Sequence, residues 1–460
     1  MQDATDLTEN KGFLWNLANI AGIKENTLKG DGNMNKKQLL NRLAGFDPAL
    51  YDIMADEISR QSDTLSFIPT ANAASPFSSY LKGSVLGNEI VDHHTEHNHT
   101  RLEEMACSRA AELFGADHAI VRLGSLATAS RVVLFALAEK GDTILSFNGR
   151  KKEYCSGDRL DFHWVNFSIS PDKEALDLDA VDFLAKECRP KVVIYSPVNN
   201  PHNIDYVRLE QIAHHVGATL WVDLGQDAGL IAAGVIPSPV PYADVVTFPA
   251  YVLHGPQNGV ILCRNTYAEK LVETVHATGH SSLKKNVLAA LAITFREAKT
   301  PEFRAYGEQV LANAKALEKG LQAEGIHCNG APTQNHLVLA RLPEGRNAED
   351  VTRLCADADI LVKGENLLTS DPDVTTPILR LSTLDPTTRS LKEEDMEKMG
   401  HIIGRLLNGT GDQTSAKEAK AEVKRIIGGL PLFSEEWLPD SEVSRSSDSD
   451  NLSYMMNWNM

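Results

Sequence analysis

Residues 219–263 read TLWVDLGQDAGLIAAGVIPSPVPYADVVTFPAYVLHGPQNGVILC. Three short apolar runs stand in this stretch, TLWVDL (219–224), DVVTF (244–248) and GVILC (259–263), with the length and β-branched content of buried strands. The first run carries Asp223, and a carboxylate at the end of a buried strand requires a cationic or hydrogen-bond-donating partner. Between the second and third lies a loop that presents Tyr251 and His254, closes on Gly255-Pro256 and contains no lysine. The stretch therefore predicts strands whose ends carry chemistry as well as connections.

Further strands are predicted at AIVRLG, DTILSF (142–147), FHWVNFSI (162–169) and KVVIYS (191–196). Helices are predicted at RLEEMACSRAAELFGA (101–116), DKEALDLDAVDFLAKE, RLEQIAHHVG and SLATASRVVLFALAEKG, the last expected to end on a glycine cap. Near-continuous apolar strands alternating with amphipathic helices indicate a largely parallel sheet covered on both faces. The long helical stretches LKKNVLAALAITFREA and EFRAYGEQVLANAKALEKGLQAEG follow. A smaller α+β unit then carries strands NHLVLARL and PILRLST. The expected organisation is an N-terminal arm (1–45), a large α/β domain (46–300), a small C-terminal α+β domain (301–430) and a flexible Ser/Asp/Asn-rich tail (431–460).

The 460-residue chain has a formal net charge of −17, 42% hydrophobic and 23% charged residues. That acidity argues against nucleic acid or an anionic membrane as the main partner. Six dispersed cysteines without metal-ligand spacing read as reduced thiols. No apolar run reaches membrane length, and MQDATDLTENKGF lacks the features of a secretory signal, so a cytoplasmic protein is expected.

Ligands of open α/β sheets bind beyond the carboxyl ends of the strands. Gly124-Ser125 stands there at a helix start, which serves as a plain cap or as a phosphate site. SPVNNPHN (196–203) forms an Asn/Pro turn. Arg380 in PILRLST can hold a carboxylate bidentately or make a structural ion pair.

From about residue 45 to 408 the chain resembles serine hydroxymethyltransferase, in the fold-type-I superfamily of pyridoxal-phosphate transferases. LGSLATASRVVLFALAEKGDTIL resembles the family's SGSxAN phosphate-binding segment, and VDLGQDAGLIAAGVIPSPVPYADVVT is similar to its VDxAHxAGLxAxGxxPxPxxxAxVVT. GPQNGVIL resembles GPRGGxIL. SFIPTANAASP, TPEFRAYGEQVLANAKAL, TQNHLVLARL and LRLSTLDPTTRSLKEEDM occur in family order. The resemblance implies a large domain with a mostly parallel seven-stranded sheet between helices, a smaller C-terminal α+β domain, and a homodimer. It further implies that Asp223 pairs with the cofactor's pyridine nitrogen, Gly124 and Ser125 bind its phosphate, and Arg380 grips a substrate carboxylate. Tyr154 is the nearest equivalent of a ring-stacking histidine, and Asn199 or Asn200 is similar to the aminotransferase asparagine that reaches the cofactor's phenolic oxygen.

The departures fall at the chemical centre. Where the family carries its Schiff-base lysine, counting back from Gly255-Pro256 gives Tyr251, with Ala250 before it. Lys191 and Lys270 bound a lysine-free span, and a phenol cannot form an imine. The acid/base glutamate falls on Ala71, beside a retained Asn72, and the histidine of VDxAH becomes Gln226. A tyrosine- and glycine-rich family loop is replaced by VDHHTEHNHTRLEE, where His93, His94, His97 and His99 stand among Asp92, Glu96 and Glu103. Histidines at this density suit a transition metal or a solvated polar loop near a dimer interface; the polar loop is expected, and no metal site is assigned.

Two functions follow. One is a diverged enzyme on an amino-acid-like small molecule, holding pyridoxal phosphate or pyridoxamine phosphate non-covalently, with Tyr251, His254 or Tyr154 moving protons. The other is a non-catalytic pseudoenzyme that acts as a ligand-binding or scaffold subunit.

Overall fold

The computed structural model describes residues 36–88, 90–91, 97–147, 154, 161–170, 175–280, 283–328, 332–368, 375–409 and 413–439. Two helices, α1 (Lys36–Phe46) and α2 (Pro48–Asp63), open the described chain. Asp47 caps α2, its carboxylate accepting from the Leu50 N–H at 3.1 Å with Pro48 in the first helical turn, the residue types a helix start favours.

Seven strands form the central sheet: β1 (His118–Leu123), β2 (Thr143–Phe147), β3 (His163–Phe167), β4 (Val192–Tyr195), β5 (Thr219–Asp223), β6 (Val245–Pro249) and β7 (Gly259–Cys263). Their order is β1-β7-β6-β5-β4-β2-β3. Strand β7 runs antiparallel to both neighbours, and the remaining pairings are parallel. Every residue of β4, β6 and β7 is buried, which follows from apolar strands covered by helices on both faces. The sheet is the mostly parallel seven-stranded one of fold-type-I transferases.

Helix α3 (Leu126–Leu137) follows β1, and Ser125 caps it by accepting from the Thr128 N–H at 3.1 Å. The helix does not run on to the expected glycine cap. The helix stops at Leu137, Ala138 is already extended at φ −131°, and Gly141, at φ +89°, serves the turn into β2 instead.

A second sheet has strands β8 (Leu337–Arg341), β9 (Lys363–Leu368) and β10 (Thr375–Ser382), antiparallel in the order β8-β10-β9. Helix α4 (Pro301–Ala323) joins the two units. Phe303, Tyr306 and Val310 pack into the core under the large sheet, while Leu317 and Leu321 pack into the core under the small one.

Helix α4 crosses α5 (Glu393–Asn408) at two glycines. A Cβ on Gly320 would collide with the Glu397 carbonyl and lie 2.9 Å from the Gly400 Cα. Gly320→Ala is therefore expected to lower stability by ~2 kcal/mol, the usual cost of overpacking. Equilibrium denaturant unfolding measures it, and an unchanged midpoint contradicts the close crossing.

Of the tail expected from 431 onward, residues up to 439 are described, and they pack. Trp437 is buried and its indole N–H donates to the Thr387 carbonyl at 2.9 Å. The remainder of that tail, and the arm up to residue 35, lie outside the described residues. So do residues 92–96 of the histidine-rich stretch. Glu103, at its end, forms an ion pair with Arg122. Among the described residues no helix is long and apolar enough to cross a membrane.

Candidate functional site

The turn after β5 fixes the first group of site residues. Gly225 adopts φ +51°, a left-handed conformation that glycine takes without the Cβ clash. This bend leaves Asp223 at the strand end, 1% exposed, and turns Gln226 toward the loop after β6. The Asp223 carboxylate accepts from the Gly225 N–H at 3.4 Å and, at its other oxygen, from the Tyr154 hydroxyl at 3.1 Å. Tyr154 is itself buried, its ring parallel to Trp164 at 6.4 Å and tilted on Trp221 at 5.0 Å.

Tyr251 lies in a short helical turn, Ala250–Leu253. Its hydroxyl accepts from the Gln226 amide at 3.3 Å. Burial raises the phenol's pKa; the Gln226 hydrogen bond opposes that, the nearby Asp223 carboxylate adds to it, and the Arg380 guanidinium opposes it. Asp223, Gln226, Tyr251 and Arg380 thus share one buried polar neighbourhood, although Asp223 and Tyr251 come from large-sheet strand ends and Arg380 from β10.

Arg380 is 3% exposed. One terminal nitrogen donates to Glu365 at 3.1 Å and the other to the Val198 carbonyl at 2.7 Å. Asn200, in the same turn as Val198, faces inward. Its side-chain nitrogen donates to the Tyr195 hydroxyl at 2.9 Å, and its side-chain oxygen accepts from the His202 N–H at 3.1 Å. Gly124 and Ser125 stand at the start of α3, where the free backbone N–H groups and the helix dipole suit an anion.

His254 stands in a separate cluster. Its Nε2 lies 3.1 Å from the Thr388 hydroxyl, and its ring packs edge-on against Phe303, Tyr306 and Phe433. Burial pushes its pKa down to about 3, so the imidazole is neutral and cannot supply a proton near pH 7. Asn72 belongs to this cluster as well, accepting from Thr388 at 2.7 Å.

Sequence reading missed a second polar group beneath the site. Asp227 lies 3.5 Å from His336 Nε2, and its other oxygen accepts from the Asn335 amide at 3.4 Å. His336 Nδ1 lies 2.9 Å from the Ser382 hydroxyl. Burial raises Asp227 to about 8 against the Asn335 hydrogen bond, while burial and the neighbouring Arg380 lower His336 to about 3. The available signal was an acid inside VDLGQDAGL, where strand, turn and apolar helix leave little solvent for it.

The architecture is that of the fold-type-I pyridoxal-phosphate transferases. The chain belongs to the serine hydroxymethyltransferase family, whose model matches residues 43–403. It is 33% identical over 410 residues to a serine hydroxymethyltransferase of Myxococcus xanthus, covering 86% of this chain and 98% of that protein. The family is a pyridoxal-phosphate family. The loop after β6 presents the Tyr251 phenol within a span that contains no lysine, the Asp223 carboxylate accepts from Tyr154, and Arg380 donates to Glu365.

Proposed function

We propose that this chain is a diverged serine hydroxymethyltransferase-family protein that carries out no lysine-anchored chemistry and serves as a ligand-binding or scaffold subunit. One observation carries the reading. The loop that the family resemblance assigns to the Schiff-base lysine presents Tyr251, hydrogen-bonded to Gln226, inside the lysine-free span bounded by Lys191 and Lys270. A phenol whose pKa is raised by burial is a neutral hydrogen-bonding group, neither an imine-forming amine nor a strong base at neutral pH.

A second reading keeps pyridoxal phosphate or pyridoxamine phosphate as a non-covalent ligand, with an amino-acid-like molecule beside it. It is favoured by the convergence of Asp223, Gln226, Tyr251 and Arg380 and by the Ser125-capped start of α3. In that reading Asp223 would hold a ring nitrogen, α3 would hold a phosphate, and Tyr251 and Tyr154 would place protons. His254 would take no part.

Assembly as a homodimer is part of the proposal. Phe46 and Ile53 on α1 and α2 are 89% and 66% exposed, which supplies apolar surface for a partner. A cytoplasmic location completes it.

Equilibrium dialysis against pyridoxal phosphate, with Asp223→Ala alongside, separates the two readings. The first expects no saturable binding in either protein. Saturable binding lost in Asp223→Ala replaces the first reading with the second.

A further inference from the structure

Arg380 has the chemistry of a carboxylate receptor: a planar, permanently charged fork, almost fully buried, beside the polar cluster of Asp223, Gln226 and Tyr251. The chain already supplies the carboxylate. Glu365, on β9 beside the paired residues Lys363 and Arg380, reaches the guanidinium at 3.1 Å. The Val198 carbonyl takes the other terminal nitrogen. Glu365 is also held from the outside, where the half-exposed Lys363 ammonium lies 2.6 Å from it.

The position of Glu365 adds a second observation. A groove of about 900 Å³ opens between the helix Ala348–Asp357 and β9, and Glu365 lines it with Arg346, Arg353 and Lys363. Glu365 thus stands between a solvent-open groove, whose rim mixes these cations with Glu349 and Asp350, and the buried guanidinium behind it. Burial raises its carboxyl pKa, but Arg380 and Lys363 outweigh that and keep it below the ordinary value, so it is ionised at neutral pH.

We propose that Glu365 is a built-in carboxylate for Arg380 and sets the specificity of the pocket by refusing α-carboxylate ligands. Any such ligand must displace an ionised side chain held by both Arg380 and Lys363, or sit beside it as a second buried negative charge, which like-charge repulsion and desolvation oppose. The proposal rests on the reading of this chain as a family member with altered pocket chemistry, and names what that pocket excludes.

Calorimetric titration with L-serine, and with acetate as a bare carboxylate, tests it. The wild-type chain is expected to show no saturable binding at millimolar concentrations. Glu365→Gln should bind L-serine at least ~10-fold more tightly than wild type, since the guanidinium is then released from a charged partner. Glu365→Asp should show a smaller gain in the same direction, because the shorter side chain withdraws the carboxylate from Arg380. Adding Arg380→Gln to either variant should remove the gain. Circular dichroism and the thermal midpoint confirm that each variant is folded, and Glu365→Asp keeps the test open if the amide variant is not. Serine binding by wild type as tight as by Glu365→Gln overturns the proposal, as does a gain that survives loss of Arg380. The outcome is independent of whether a lysine adduct with pyridoxal phosphate forms, so the two readings fail separately.

Discussion

Asp227→Asn is expected to stabilise the protein at pH 9 and to leave it unchanged at pH 4. Asp227 is buried with His336, Asn335, Tyr195 and Tyr206 around it, and the two phenols are themselves pushed up by burial with a contribution from the Asp227 carboxylate. Arg380 disfavours a cationic His336. The arrangement that satisfies all these groups keeps the proton on Asp227, facing a neutral His336 whose Nδ1–H donates to Ser382. The folded-state pKa is raised from 3.8 to about 8. Folding therefore favours the protonated acid. That stabilisation is complete below the unfolded pKa and is lost as the pH rises toward 8. Asparagine keeps the shape and an N–H toward His336 but has no proton to lose. The difference should grow from about zero near pH 4 to ~3 kcal/mol at pH 9, allowing for relaxation around the charge. Thermal midpoints across that range measure it. A variant less stable than wild type at pH 9 shows instead that Asp227 and His336 form a true ion pair.

Arg389→Met is expected to cost ~4 kcal/mol, a fall of about 5 °C in the thermal midpoint for a chain of this size. Arg389 is 2% exposed. Its guanidinium donates to the carbonyls of Thr64 at 2.6 Å, Ser62 at 3.1 Å, Pro431 at 3.3 Å and Gln61 at 3.4 Å. Three of these lie at the C-terminal end of α2, where the last carbonyls have no helical partner. The fourth ties down residue 431, at the start of the segment that ends in Trp437. Burial raises Asp385 to about 6 even with Arg389 opposing it, so methionine also strands a buried acid. Arg389→Lys should recover only part of the loss, because one ammonium cannot span a four-carbonyl fork. A loss below 1 kcal/mol for Arg389→Met contradicts this view of the packing.

The sheet was legible in the sequence because its strands are continuous apolar runs, and β4, β6 and β7 are buried along their whole length. The helix after β1 was read three residues too long: AEKG looks helical by composition, and only the backbone reveals that the chain extends at Ala138. Asp223 and Tyr251 were legible as candidate site residues from their place at strand ends, and the structure puts both beside Gln226 and Arg380. His254 was not separable from them by sequence, since three residues along a turn suffice to point a side chain into a different cluster. The pairings of Asp227, His336 and Glu365 were hidden for another reason, although the acid in VDLGQDAGL was itself a signal. Each meets its partner across the junction of the two units or across paired strands, contacts that no local spacing encodes. The long crossing of α4 and α5 at Gly320 and Gly400 belongs to the same class.

The central claim is that no lysine of this chain anchors pyridoxal phosphate at the Tyr251 loop. Incubation with one equivalent of pyridoxal phosphate, borohydride reduction and peptide mass mapping tests it most directly. The account predicts no stoichiometric phosphopyridoxyl adduct at any single lysine and no lasting change in the visible spectrum. A single lysine modified to near completion, with its modification lost in Asp223→Ala, would contradict it.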